Sequence, residues 1–399
     1  SLLIWIPNWP SEDATASSDL GSASEIDHYG LFSSTDSAQA SISSAVLPNS
    51  QTFTVEAWIK PDEFDGDMSD RYLTILAQKQ EVAGCSAGRF YLSLFYETSG
   101  EYSLHLGSND GAACSPVGVF LGEGNFPVGA WTHVAVSSDA STGWTLFVNG
   151  QTFTSSPTVV AASDAGPFSI GRIGGSLHEF AGGIDQVKIW ETALAEAEIL
   201  SSMHTYGAPS GVAGLRAHYD FNEGTGTKIH DRAGSYDLTA TNLTFADVKS
   251  VATANDGDLV VAFPRTYLPG VGGWTVPQDV TSVEALVVAG GGGGGAWIGG
   301  GGGAGGFLET SLSSLESNTT FSVIVGQGGF GAYFKDSDND EFNGYDSRAN
   351  SSGQASTLSG VTVPGGGAGA NFIRGFTSVA ASGASGGGGS AISPYHVSG

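Results

Sequence analysis

The chain is short of basic residues and of sulfur. Lys and Arg number 14 against 40 Asp and Glu in 399 residues, a formal net charge of −26. So acidic a surface repels phosphate backbones and anionic headgroups, which argues against a nucleic-acid partner. No apolar run approaches the roughly 18 to 20 residues of a spanning helix, so membrane insertion is not expected. Ser1-Leu-Leu-Ile-Trp-Ile6 lacks a basic leader and a small-residue cleavage site, and no initiator Met precedes it, so the start reads as processed or truncated. Two Cys and two Met amid abundant Ser, Thr and Gly fit an extracellular setting. Also missing are a nucleophile–base pair, and any His-x-His or Cys-x-x-Cys spacing that would draw His218, His230 and Asp231 into a metal site. Those histidines are expected in the core or on the surface.

What is present is strand pattern and glycine. Trp131-Thr-His-Val-Ala-Val alternates, a polar cluster reverses the chain into Trp144-Thr-Leu-Phe-Val148, and Asn149-Gly150 reverses it again. Asn-Gly accepts the positive φ of a two-residue turn, so this is an antiparallel sheet. Phe53, Val55, Ala57 and Ile59 share one side of a half-buried strand ended by Pro61. Further strands are expected at 2–6, 73–78, 89–97, 102–106 and 117–121, and one helix at 193–204, stopped near Gly207.

Taken in order, Phe53-Thr-Val-Glu-Ala-Trp-Ile-Lys60, Trp131-Thr-His-Val-Ala-Val136, Leu146-Phe-Val-Asn-Gly-Gln151, Ser169-Ile-Gly171 and Gly183-Ile-Asp-Gln-Val-Lys-Ile-Trp190 resemble the laminin-G-like, concanavalin-A-like family. The resemblance covers roughly residues 1–207 and implies an antiparallel β-sandwich jelly roll. Asp185 falls in its Ile-Asp-x-Val segment and reads as structural, a carboxylate bonding a neighbouring loop. Gly214-Leu-Arg-Ala-His-Tyr-Asp-Phe-Asn-Glu223 resembles another element of the family. Residues 208–248 are too few for a second sandwich and should add return strands or bridge onward.

Several polar residues invite a chemical reading. Glu25-Ile-Asp27 carries two of the three acids of a Glu-x-Asp-x-x-Glu strand that serves sandwich-fold glucanases, but Gly30 stands at the third position and catalysis there is not expected. Asp65, Asp67 and Asp70, in a loop of five carboxylates, could hold Ca²⁺, as could Asp336, Asp338 and Asp340; solvated loops are the alternative for both. A hairpin in which Glu97 faces Tyr102 would carry Cys85 opposite Cys114, and a disulfide there would stabilise the fold by about 2–4 kcal/mol. Two free buried thiols are the alternative. Trp5, Trp9 and Trp297 are core aromatics or sugar-stacking ones.

Residues 249–399 form the glycine-rich part. Glycine fills 290–306 apart from Ala296-Trp-Ile298 and Ala304, and returns at 365–369 and 386–389, each tract attached to a strand. Extended three-residue-per-turn helices have no internal hydrogen bonds, so glycine tracts packed side by side can bond laterally where no Cβ separates them. With no helix or Lys-Ser/Thr following, Gly290–Gly295 is not a phosphate loop. The stretch from Gly273-Trp-Thr-Val-Pro277 through Leu286-Val-Val-Ala-Gly-Gly-Gly292 resembles a glycine-rich domain of phage fibre and bacterial surface proteins.

The expected fold is all-β: a jelly-roll sandwich plus a glycine-rich domain of strands and polyglycine-type helices. The expected function is a non-enzymatic, surface-displayed structural or adhesion protein, a phage decoration or fibre protein contacting glycans or neighbouring subunits as a homo-oligomer or part of a larger assembly. A secreted bacterial adhesin and a glycan-cleaving enzyme of concanavalin-like fold are the alternatives.

Overall fold

The computed structural model describes residues 2–6, 28–34, 36–64, 72–78, 90–97, 100–108, 117–121, 126–156, 166–173, 178–203, 208–209, 211–247, 250–253, 259–263, 274–276, 280–295, 299–316, 319–321, 323–335, 346–348, 350–373, 376–378 and 380–388. They fall into two compact units, His28–Asp247, and Ser1–Asp27 together with Val248–Gly399.

The unit His28–Asp247 is two antiparallel sheets face to face. The first sheet runs β11 (Gln151–Ser156), β10 (Gly143–Val148), β9 (Thr132–Asp139), β4 (Phe53–Pro61), β13 (Gly182–Trp190), β2 (His28–Phe32) and β17 (Thr244–Asp247), with β14 (Leu215–Tyr219) also on β13. The second runs β15 (Lys228–Ile229), β16 (Leu238–Thr241), β3 (Gln39–Ile42), β12 (Phe168–Ile170), β5 (Tyr72–Gln78), β6 (Phe90–Tyr96), β7 (Tyr102–Ser108) and β8 (Val117–Leu121). Between them lie Phe53, Val55, Ala57 and Ile59 of β4 and Phe90, Leu92 and Leu94 of β6, all fully buried. The Phe53 and Phe90 rings meet edge to face at 5.3 Å across the sandwich. Asn149 (φ 51) and Gly150 (φ 74) make the tight turn that their sequence requires. Segment 211–247 supplies strands to both sheets.

Three details differ from the pattern read in the sequence. The helix is shorter, α1 (Glu196–Ser202), because Ala195 is still extended at φ −79, ψ 164, and the Glu198 carboxylate accepts its N–H at 2.8 Å. The other side of β4 is buried as well, because α1 covers it: Ile199 packs with Ala135, Phe147, Trp190 and Leu194. In the third case, β6 and β7 pair with Tyr96 opposite Tyr102, one residue from the register assumed in placing Cys85 opposite Cys114. Side-chain period in a strand is two, so a slip of one changes both partners and faces. The pairing argument for that bridge is lost, and both cysteines lie outside the described residues.

In the other unit, β1 (Leu2–Ile6) sits between β19 (Leu259–Phe263) and β21 (Ser282–Val288), with β18 (Ser250–Thr253) and β22 (Phe307–Ser313) at the edges. The family resemblance over residues 1–207 places Leu2–Ile6 in the sandwich. In the fold this apolar strand instead completes a ladder between two others, Leu3 opposite both Ala262 and Leu286. Short pairs follow: β20 (Trp274–Thr275) with β23 (Thr320–Phe321), β24 (Val323–Ile324) with β27 (Ser356–Leu358) and β28 (Val361–Val363), β25 (Tyr333–Lys335) with β26 (Asp346–Arg348), and β29 (Asn371–Ile373) with β30 (Phe376–Ser378).

The glycine tracts bond laterally. Gly292 N–H reaches Gly303 O at 2.8 Å, Gly303 N–H reaches Gly367 O at 2.8 Å, Gly367 N–H reaches Ser385 O at 2.9 Å and Gly329 N–H reaches Gly291 O at 2.8 Å. A Cβ on Gly290 would lie 1.9 Å from Gln327 O, and one on Gly293 1.8 Å from Phe330 O; Gly292 and Gly295 face Gly367 O and Ala370 O at 2.1 and 2.0 Å in the same way. Contacts recurring every third residue are those of polyglycine-type helices packed side by side.

Candidate functional site

Alternation along β6 sends Phe90, Leu92 and Leu94 into the core and Tyr91, Ser93 and Phe95 to the opposite side. On that outer side Tyr91 lies across from Gly107, Ser93 from His105 and Phe95 from Ser103 on β7, while Tyr72 of β5 lies across from Phe95. Gly107 is required here because a Cβ on it would fall 1.9 Å from Cζ of Tyr91, so the phenol can lie over the strand only if that residue has no side chain.

The result is a continuous aromatic surface. The Tyr72 ring meets Phe95 at 4.9 Å, His105 at 5.1 Å and His178 at 5.0 Å, and Tyr91 meets His105 at 5.2 Å. His105 is buried beneath these rings, while Tyr72, Tyr91, Phe95 and His178 are half-buried. His178 holds a left-handed backbone (φ 72) and its carbonyl accepts the Thr74 N–H at 3.1 Å, so β5 fixes its place beside Tyr72. Polar groups flank the surface: Ser93 Oγ donates to Thr74 Oγ1 at 3.4 Å and Ser103 Oγ to the Glu97 carboxylate at 2.6 Å. Arg172 pairs with Glu179, the neighbour of His178, at 3.4 Å.

Burial, then the nearby Tyr72, pushes the Tyr91 phenol up to about 12, and burial, then His178, pushes the His105 imidazole down to about 4. Both are therefore neutral at physiological pH. Neutral rings with part of their surface open, beside the half-buried Glu97 carboxylate, suit a flat ligand with an apolar face and polar edges.

A second polar cluster is sealed under α1. Glu56 accepts from Trp190 Nε1 at 2.8 Å and from the Ser202 hydroxyl, and lies 3.1 Å from His133 Nε2. Lys188 Nζ donates to Ser202 O at 2.6 Å. Glu56, His133 and Lys188 are all buried, so this cluster fixes the helix to the sheet and has no access to ligand.

The residues singled out in the sequence fall as follows. Asp65, Asp67, Asp70, Asp336, Asp338, Asp340, Cys85, Cys114, Glu25, Asp27, Trp9 and Trp297 lie outside the described residues; Trp5 is on β1. Asp185 accepts the Gln186 N–H at 2.7 Å, at a bulge in β13. His218 is buried against Gln186 at 2.8 Å, Asp231 accepts the His218 N–H at 3.0 Å, and His230 is exposed. Among the described residues no three His, Cys, Asp or Glu converge on a metal position, and no helix is long and apolar enough to cross a membrane. The aromatic surface was missed in the sequence. Its signal was the pair of outward aromatics in Phe90-Tyr-Leu-Ser-Leu-Phe95, but only the strand register sets Gly107 and His105 beside them.

Residues 33–200 match the Concanavalin A-like lectin/glucanases superfamily, and residues 267–398 match a family described as Glycine-rich domain. The two matches fall on the two parts of the fold, the first on the antiparallel β-sandwich and the second on the glycine-rich part. No curated protein matches the chain. Among solved structures, it resembles a protein of Bacteroides ovatus described as carbohydrate-binding (21% identity, 56% of this chain and 60% of that one, TM-score 0.40). It also resembles the heptameric SAP-like pentraxin of Limulus polyphemus (18% identity, 60% and 96%, TM-score 0.34). A third is the enzymatically active domain of tailspike protein 2 of bacteriophage CBA120 (13% identity, 52% and 32%, TM-score 0.38). The chain thus spans 60% of the Bacteroides protein's length and about a third of the tailspike's.

Proposed function

We propose that the sandwich is a glycan-binding module and that the whole chain is a non-enzymatic adhesion or structural protein of an extracellular surface, of phage virion or bacterial cell. The observation that carries the reading is the aromatic surface on the solvent side of the second sheet, where Tyr72, Tyr91 and Phe95 present half-buried rings around neutral His105. Sugar rings stack their C–H faces on such rings, and the half-buried Glu97 carboxylate beside them can accept from the ring hydroxyls. Glycoside hydrolysis uses two carboxyls about 5–9 Å apart as acid and base or nucleophile. What favours binding without cleavage is that the two carboxylates beside the rings are already engaged, Glu97 by the Ser103 hydroxyl and Glu179 by Arg172 and the Ser37 hydroxyl.

The test is a glycan array with the wild-type chain and Tyr91→Ala. Retained sugars should be lost, with affinity falling about tenfold or more, as roughly 1.4 kcal/mol of stacking requires. Binding untouched by Tyr91→Ala would overturn the assignment, and release of reducing ends from a bound glycan would overturn the non-enzymatic reading. The same proposal includes Ca²⁺ at Asp65, Asp67 and Asp70 and at Asp336, Asp338 and Asp340. Mass photometry with and without a chelator addresses it together with the assembly: a defined oligomer that dissociates on chelation is expected, and a monomer indifferent to chelation counts against both.

A further inference from the structure

A recess of about 400 Å³ opens at the end of β22 in the glycine-rich unit. Half-buried Leu312, Leu315 and Phe321 line it, with Ser314, Ser359 and the exposed Glu316 among its polar residues. Its volume lies within the range usual for small-molecule sites. Among the described residues the lining carries no cationic side chain, so an anion has no counter-charge from them, and their one carboxylate is too few to hold Ca²⁺. What the lining offers is an apolar patch including one aromatic ring, surrounded by hydroxyls and a single hydrogen-bond-accepting acid.

Ser314 (φ 57) and Ser359 (φ 50) both occupy left-handed backbone, where a Cβ is disfavoured. Ser359 is followed by Gly360 (φ 83) in the hairpin joining β27 and β28, the same kind of turn that Asn149-Gly150 makes in the sandwich. Asn or Gly suits the first position of such a turn better than Ser. A hydroxyl is thus kept at two places where backbone conformation alone would select another residue, and both serines line the recess.

We propose that this recess is a second carbohydrate site, separate from the aromatic surface of the sandwich, that takes one neutral sugar unit. Leu312, Leu315 and Phe321 would receive its C–H face, Ser314 and Ser359 would exchange hydrogen bonds with its hydroxyls, and Glu316 would accept from a hydroxyl pair.

The test is saturation-transfer NMR on the full chain with free glucose, galactose, mannose and N-acetylglucosamine as probes. The proteins compared are wild type, Tyr91→Ala, the double variant Ser314→Gly/Ser359→Gly, and Glu316→Gln. The glycine substitutions suit the left-handed backbone, so the double variant should fold at least as well as wild type, and Glu316 is exposed. At least one probe should give a signal that survives Tyr91→Ala and falls fivefold or more in the double glycine variant and in Glu316→Gln. A signal abolished by Tyr91→Ala alone would leave the sandwich site standing and overturn the recess. So would a surviving signal that the double glycine variant does not change, or no signal from any probe.

Discussion

Glu56 lies mid-strand in β4 with both carboxylate oxygens engaged, by Trp190 and Ser202 on one side and His133 on the other. Burial pushes its pKa up, but the Lys188 charge, the His133 hydrogen bond and charge, and the Ser202 hydroxyl together outweigh this and bring it to about 2. Lys188 is pulled down by burial and partly restored by Glu56 and Asp185. Glu56→Gln would leave the Lys188 ammonium buried beside a neutral amide. It should destabilise the sandwich by about 3–5 kcal/mol, read as a lowered urea midpoint. A loss below 1 kcal/mol would mean the pair is not sealed as described. The histidines set the acid limit. His105 is pushed down to about 4 and His218, chiefly by burial and then by Lys188, to about 3. Unfolded imidazole titrates near 6.5, so between that pH and the folded values the unfolded chain binds more protons. Stability should therefore hold above about pH 6.5 and fall progressively below it. Glu56 adds its own loss from about pH 4.5 downward, as its folded pKa of about 2 is approached. A melting temperature constant from pH 7 to pH 4 would contradict this, and His105→Gln should reduce the slope between pH 6.5 and 4.

Among elements, the β6–β7 ladder decides whether there is a binding surface at all. Gly107→Ala would place a methyl 1.9 Å from Cζ of Tyr91 and lift the phenol off the strand, while the inward residues Leu104 and Leu106 keep their burial. Glycan affinity should fall about as far as in Tyr91→Ala, with a stability change of no more than about 1–3 kcal/mol from the local overpacking. Unchanged affinity would remove Tyr91 from the site. The same ladder shows what the sequence could and could not reveal. Asn149-Gly150 dictates its turn by its own backbone preferences, and alternation alone put Phe53, Val55, Ala57 and Ile59 inside. Partners remote in sequence are another matter. Nothing local to Tyr91 indicates that Gly107 lies opposite, and assuming a register one residue off was enough to remove the argument that set Cys85 opposite Cys114. Glu56 was visible as an acid within an apolar strand, but its partners Trp190 and Ser202 are 134 and 146 residues away. The extent of α1 could not be read from Ala193 onward because Ala195, a good helix former by propensity, is held extended while its N–H is taken by the Glu198 side chain.

On the scale of the whole molecule, the glycine-rich unit reverses the usual logic of a core. In the sandwich, apolar side chains exclude water; in the bundle, the absence of side chains lets backbones approach until their own N–H and C=O groups satisfy one another. Each tract is then tolerant on one side and intolerant on the others, with a period of three. Gly293 faces Phe330 O, where a Cβ would lie at 1.8 Å, whereas a Cβ on Gly301 would meet nothing within 4 Å. Gly293→Ala must therefore separate these two tracts and break the lateral bonds between them, Gly329 N–H to Gly291 O at 2.8 Å and Ala332 N–H to Gly294 O at 2.8 Å. It should destabilise this unit by about 3 kcal/mol or more, the upper end of overpacking effects. Gly301→Ala should be neutral or stabilising by about 0.4–1 kcal/mol, since it only narrows the unfolded ensemble. Calorimetry of the two full-length variants decides the matter. A lowered transition for Gly293→Ala alone is expected, and equal tolerance of both substitutions would mean that the glycines are spacers and not the packing surface of the unit.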